Sequence, residues 1–313
     1  MRPSDFQGPV DYAALGTEQR NPRSMDLDLL STEEILRIIN EEDRSVPLAV
    51  AAEIPNIARG VDALVGALRA GGRVIYVGAG TSGRIALLDA LEWPPTFGVD
   101  PEVIHVVIAG GAAATVQSSA PAEDDAEAGM AEVAKLGAGP RDVVVALAAS
   151  GVTPFVLGAV EEARRRGSTV VSVSNVPGSP LARRGHVAIT PVTGPEVLTG
   201  STRMKAGTAQ KLVLNMLSTA AMVRLGKVYS NLMVDMPPRN VKLLARARRM
   251  VAAATGLDVE TSGRLLDEAE GSVKVAIVMA LAGVSRQEAE RRLETAGGRV
   301  RAALREGHDA PDR

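Results

Sequence analysis

The sequence predicts an α/β fold: a doubly wound parallel sheet sandwiched between helices, with flanking helices and a small C-terminal helical unit. Three observations carry this. Short apolar runs recur at 73–78, 103–109, 142–149, 169–173 and 186–189, and such continuous runs read as buried parallel strands. Helical stretches at 82–91, 124–136 and 154–166 lie between them, and alternation of this kind implies right-handed crossovers. After Pro191 the sheet pattern stops, and a long helix rich in Ala, Leu and Met runs over 205–225.

Taken in order, residues 1 to about 25 read as an extended, turn-rich arm. Ser31-Thr-Glu-Glu34 signals a helix start: the Ser31 hydroxyl can cap and Glu34 can reach back to complete a capping box. That helix carries Ile35, Ile38 and Ile39 on one face. A second helix is expected after Pro47, with Val61, Leu64, Val65 and Leu68 at helical spacing. The strand–helix alternation follows, and in such sheets ligands bind at the carboxyl ends of strands. Beyond the long helix, another spans 241–253. Short amphipathic segments broken at Gly271, Gly283 and Gly297-Gly298 follow, with a weak internal echo between Val273-Lys-Val-Ala-Ile and Val300-Arg-Ala-Ala-Leu. The expected division is an arm and helix over 1–50, a ligand-binding sheet domain over 51–235 and a helical region over 236–313.

Composition excludes several classes. The 313 residues, 46% hydrophobic, can bury a real core. A net charge of −2 and 2% aromatic content give neither the basic excess nor the stacking platforms of a nucleic-acid binder. There is no cysteine, so thiolate chemistry and disulfides are out. His105, His186 and His308 are scattered, so no metal site is expected and no cofactor is implied. The polar first sixteen residues resemble neither a signal peptide nor a membrane span, and the run 143–149 is too short to cross a bilayer. The expectation is a soluble, cytoplasmic protein with a small-molecule ligand and no membrane or nucleic-acid partner.

Two loops carry the ligand chemistry. Gly78-Ala-Gly-Thr-Ser-Gly-Arg84 joins a strand to a helix, and its small residues let backbone approach an anion while Thr81 and Ser82 offer hydroxyls beside free helix N-terminal amides. The spacing is not that of a P-loop, and no lysine follows the last glycine. Ala148-Ala-Ser-Gly-Val-Thr153 repeats the design after another strand, with Ser150 and Thr153 as hydroxyl donors around Gly151. Two such loops favour a phosphate monoester. A third stretch brings Glu196, Ser201, Thr202 and Lys205 to a helix start. There they could bind a substrate hydroxyl or carboxylate, and the same residues equally suit an ordinary capped N-terminus.

Gly80-Thr-Ser-Gly83 and Ser150-Gly-Val-Thr153 resemble the loops of the sugar isomerase (SIS) domain, whose members bind phosphosugars. Its usual second loop is Ser-Gln-Ser-Gly-x-Thr, and Ala148-Ala149 replace the first two residues here, removing part of that polar set. Gly194-Pro-Glu-Val-Leu-Thr-Gly-Ser-Thr-Arg-Met-Lys-Ala-Gly-Thr-Ala-Gln-Lys211 is similar to the signature shared by N-acetylmuramic acid 6-phosphate etherases and the glucokinase regulatory protein. Thr17-Glu-Gln-Arg-Asn21, Ile39-Asn-Glu-Glu-Asp43 and Asn231-Leu-Met-Val-Asp235 resemble it too. The single sheet domain and the length resemble the etherases, since the regulator carries two such domains.

Two carboxylates complete the reading. Glu92 ends a helix before Trp93-Pro94-Pro95, where prolines stop the helix and hold a rigid turn, with Asp89 one turn earlier. Glu123 precedes Asp124 and Asp125 in the loop before a helix. From the residues alone, either glutamate could be a solvated surface acid. The resemblance implies that Glu92 is the proton donor and Glu123 the second active-site acid. The implied reaction removes the D-lactyl ether from N-acetylmuramic acid 6-phosphate, giving N-acetylglucosamine 6-phosphate and D-lactate in cell-wall amino-sugar recycling. Glu123 is taken as base and Glu92 as acid, although spacing does not separate the roles. A non-catalytic phosphosugar-sensing regulator and an aldose–ketose isomerase are the alternatives, and resemblance to SIS proteins implies a homodimer.

Overall fold

The computed structural model describes residues 11–117 and 120–305; the remainder of the expected arm, residues 1–10, lies outside them. By its contacts the chain divides into two units, one formed by residues up to Ala90 with Glu102–Ser218, the other by Leu91–Pro101 with residues from Thr219 on.

In the first unit, the described part of the expected turn-rich arm carries 3-10 turns at Tyr12–Ala14 and Pro22–Ser24, and a third follows at Leu27–Leu29. They lead to α1 (Thr32–Asp43), where Ser31 and Glu34 form the expected capping box. The helix expected after Pro47 is two, α2 (Val46–Ala51) and α3 (Ile54–Arg69). Pro55 sits in the first turn of α3, where its missing amide and its ring are tolerated, and they would break a continuous helix. The sheet and its crossovers follow: β1 (Val74–Gly78), α4 (Gly80–Leu91), α5 (Trp93–Phe97, in the second unit), β2 (Ile104–Ile108), α6 (Ala120–Glu123), α7 (Ala126–Lys135), β3 (Val143–Leu147), α8 (Pro154–Arg165), β4 (Thr169–Val173), α9 (Pro180–Arg184), β5 (Val187–Ile189) and α10 (Lys205–Arg224).

All five strands are parallel, in the order β2-β1-β3-β4-β5. β1 and β3 are buried at every position, because helices cover both faces. One face packs Ile75, Val77, Val144 and Ala146 against Val133 of α7 and Phe155, Val156 and Val160 of α8. On the other, Gly60 of α3 lies where an added Cβ would stand 2.8 Å from Leu217 of α10 and 3.5 Å from Val171 of β4.

The helix expected over 124–136 begins instead at α7, with Asp125 as an extended-backbone cap accepting from the Ala128 amide at 2.8 Å. Glu123 therefore ends a separate one-turn helix, α6, rather than lying in a loop. Gly129 and Gly158 bring α7 and α8 into backbone contact: a Cβ on either would meet a carbonyl oxygen of the other helix at 2.0 Å. That contact draws the chain carrying Glu123 towards the carboxyl end of β3.

The second unit adds α11 (Val241–Thr255), α12 (Val259–Glu268), α13 (Val273–Ala282), α14 (Arg286–Thr295) and α15 (Val300–Arg305) around a core including Met236, Val251, Leu266, Ile277 and Val300. Asp235, from the third quoted motif, accepts from Lys227 at 3.0 Å and Lys274 at 2.8 Å, which ties that segment to α13.

Candidate active site

The strand order reverses between β1 and β3, since the chain moves outward to β2 on one side and to β4 and β5 on the other. A crevice opens beyond the carboxyl ends at such a switch point. Here it is a cavity of about 310 Å³ whose lining includes Thr81 and Ser82 from the first loop, Ser150 and Thr153 from the second, and Thr202 from the signature stretch. Gly80 and Gly151 make the two turns with φ +51° and +71°, a backbone region that L side chains rarely occupy. Thr153 sits at the cap position of α8, yet its side chain makes no capping hydrogen bond. Thr153 and the first residues of α4, Gly80, Thr81 and Ser82, line the same cavity.

Glu123 lines the same cavity. It is half-buried, and a Cβ added at Gly80 would stand 2.8 Å from its Oε1. Burial pushes its carboxyl above the usual value, Asp124 pushes the same way, and the guanidinium of Arg84 opposes both. Arg84 and Glu18 also line the cavity and were not singled out by sequence reasoning. The signal for Arg84 was its place one turn beyond Gly80 on the same helix face. Glu18 belongs to a quoted motif, but nothing local said where the arm would run.

The arm runs against the signature stretch because of Glu42. This carboxylate takes hydrogen bonds from Lys205 Nζ at 2.6 Å, Asn21 Nδ2 at 2.9 Å and Arg23 at 3.0 Å. Burial alone would raise its pKa, and these three partners hold it below the usual value. Asn21 also donates to the Pro195 carbonyl and Ser24 to that of Val197. The motifs around residues 17–21, 39–43 and 194–211 thus meet in one polar cluster. Within it Glu196, fully buried, accepts from the backbone amides of Lys205 and Ala206 at 3.0 and 2.9 Å and so caps α10. Burial raises its pKa while those amides oppose the rise. Of the four residues expected at this helix start, Thr202 lines the cavity. Glu196 and Lys205 are engaged in anchoring, and half-buried Ser201 stands outside the lining.

Glu92 is exposed, at the cap position of α5 in the second unit, and is not among the lining residues. Asp89, its neighbour one turn earlier, is buried and structural: it accepts from Tyr76 and Lys211, each at 3.0 Å, and from Ser218. Among the described residues, no group of three or more His, Asp and Glu side chains could hold a metal ion. No described helix is long and apolar enough to cross a membrane.

Residues 56–164 match the glucokinase regulatory protein N-terminal SIS domain and residues 124–220 match the SIS domain. An N-acetylmuramic acid 6-phosphate etherase of Symbiobacterium thermophilum is 58% identical over 275 residues, covering 88% of this chain and 91% of the relative. One from Salmonella agona is 52% identical over 295 residues, covering 94% and 99% respectively. Among solved structures, a phosphoheptose isomerase from Francisella tularensis aligns at 21% identity over 62% of this chain and 100% of its own, with a TM-score of 0.47. With identity this high across nearly the whole of both chains, this chain belongs to the family of N-acetylmuramic acid 6-phosphate etherases.

Proposed function

We propose that the cavity at the β1–β3 switch point is where this enzyme cleaves the D-lactyl ether of N-acetylmuramic acid 6-phosphate, with Glu123 as base and Glu92 as acid. The loops after β1 and β3 receive the phosphate through Thr81, Ser82, Ser150 and Thr153 and the helix N-terminal amides. In the open-chain sugar the C2 proton, beside the aldehyde, is acidic. A carboxylate removes it, the C3–O bond to lactate breaks, and a protonated carboxyl gives the departing alkoxide its proton. Water then adds at C3 of the unsaturated aldehyde. The products are N-acetylglucosamine 6-phosphate and D-lactate, so the enzyme is a carbon–oxygen lyase of amino-sugar metabolism.

The observation that supports Glu123 most directly is its place: a half-buried carboxylate against Gly80, inside the same cavity as the phosphate loops. Its raised pKa suits a base that must attack a carbon acid, and Arg84 counters the rise so that it can still ionise. Glu92 is assigned by resemblance. We place the enzyme in the cytoplasm as a homodimer, since SIS-type sites borrow residues across subunits, and Glu92 of a second copy can then serve as the acid.

Exchange of the C2 proton with deuterated solvent, followed together with D-lactate release, tests the roles. Glu92→Ala should still exchange while releasing little lactate, and Glu123→Ala should do neither, each defect being about 10²–10⁴-fold. The opposite pattern reverses the roles, and lactate release at the parent rate in both variants refutes the pair. If the acid comes from the second copy, mixing the two inactive variants should restore roughly a quarter of the activity, because half the dimers are mixed and each has one intact site.

A further inference from the structure

We propose that Arg84 is the positioning residue of the base: it ties α4 to the segment leading into Glu123 and supplies the cation facing that carboxylate. The proposal rests on Glu123 being the base. Three observations carry it. Gly80 and Arg84 are four residues apart on α4 and so share a face, and Glu123 stands against that face at Gly80. Arg84 Nε donates to the Ala114 carbonyl and Nη2 to that of Gln117, both at 3.1 Å. These carbonyls belong to the stretch after β2, and Gln117 lies six residues before Glu123. A planar guanidinium used as a two-pronged clamp holds a chain segment at a set distance and angle, which a lysine cannot do.

The third observation is charge. Arg84 and Glu123 line one cavity. Asp124, beside it in the chain, and Arg84 from α4 act on Glu123, Glu18 from the N-terminal arm lies elsewhere on the same lining, and Asp125 is occupied in capping α7. Arg84 is the cation in that set. Burial and Asp124 both favour the protonated carboxyl, and the guanidinium favours the ionised form that abstracts a proton. Clamp and charge act on Glu123 rather than on substrate, so Arg84 belongs to the rate of proton abstraction and not to sugar binding.

The test compares Arg84→Gln and Arg84→Lys with the parent enzyme, reading kcat and KM for D-lactate release across pH and the rate of C2 proton exchange. Thermal unfolding of each variant establishes that it is folded. Arg84→Gln should lower kcat about 10²-fold with KM near the parent value, and its acid limb should move to higher pH, since Glu123 without its cation stays protonated further up. Arg84→Lys keeps a charge and loses the fork, so it should retain the parent's acid limb while still losing rate. If Arg84→Gln fails to fold, the Arg84→Lys profile decides alone: an unmoved limb with reduced exchange supports the proposal, and parent-like exchange overturns it. An acid limb unmoved in Arg84→Gln, or a raised KM with kcat kept, also overturns it, the latter by making Arg84 a substrate ligand. Glu123→Gln run in parallel separates the two levels. If it still exchanges the C2 proton, the base assignment fails; if it is silent while the Arg84 variants match the parent, the proposal for Arg84 falls alone.

Discussion

Gly80→Ala tests the geometry of the site at one methyl group. The residue has φ +51°, so any L side chain there costs about 1–2 kcal/mol in left-handed backbone alone. The new Cβ would stand 2.8 Å from Glu123 Oε1, and reaching an ordinary contact of 3.4 Å requires the carboxylate to retreat by about 0.6 Å. That carboxylate ends a flexible side chain, so the fold survives and the displacement falls on the proposed base. A shift of this size in a reacting group should cost of order 10–10²-fold in rate. The expectation is a drop of a few degrees in unfolding midpoint and a fall in C2 proton exchange and D-lactate release to a tenth or less. Gly151→Ala is the control: on the second loop, its Cβ meets Ser179, the cap residue of α9, and not Glu123, so it should raise KM more than it lowers kcat. A Gly80→Ala enzyme that exchanges and releases lactate at the parent rate would show that Glu123 does not work from this position.

Ser82→Ala and Ser150→Ala should each weaken substrate binding by about 1.5–3 kcal/mol, the worth of a charge-assisted hydrogen bond, and equal affinity for the phosphorylated and unphosphorylated sugar would refute the phosphate site. Glu123→Gln should stabilise the folded protein at neutral pH. The parent's carboxyl has a folded-state pKa above the usual 4.5, so its favourable contribution is full below that value and is lost as pH rises through the folded pKa. The variant's advantage, read by urea unfolding, should therefore vanish in acid; a constant difference across pH would mean that burial does not shift this group. Glu42→Ala should destabilise by about 3–5 kcal/mol, because it leaves the buried Lys205 ammonium without its partner. Glu42 has a depressed pKa, so its contribution in the parent is present above the ordinary carboxylate value and fades as pH falls. Urea denaturation of the two proteins at pH 7 and pH 3 checks this, and a gap that does not narrow in acid would refute it.

Much of the site was legible because its signals are local. A glycine that must take positive φ, a hydroxyl beside it and a helix starting at once are properties of six or seven adjacent residues, and both loops that line the cavity were found that way. Glu123 was legible as an acid but not as a site. Its surroundings suggested a solvated cluster, and what it stands against is Gly80, over forty residues earlier in the chain. Glu196 and Lys205 show the converse. At a helix start they read as candidate ligands, and only distant Glu42, with the two amides of α10, shows them to be anchors.

The sequence by itself determined the strands, most helices, the capping box at Ser31 and the two glycine-and-hydroxyl loops after β1 and β3, because apolar periodicity, glycine and capping chemistry act over a few residues. Strand order was not among these: the same elements fit several parallel sheets, and only packing selects the one in which β1 and β3 meet and open the crevice. The convergence of the arm, α1 and the signature stretch on Glu42 also waited for tertiary structure. So did the placing of Arg84 and Glu123 on one cavity. A buried charge is stable only where partners from remote segments close around it, and which segments those are is decided by the fold.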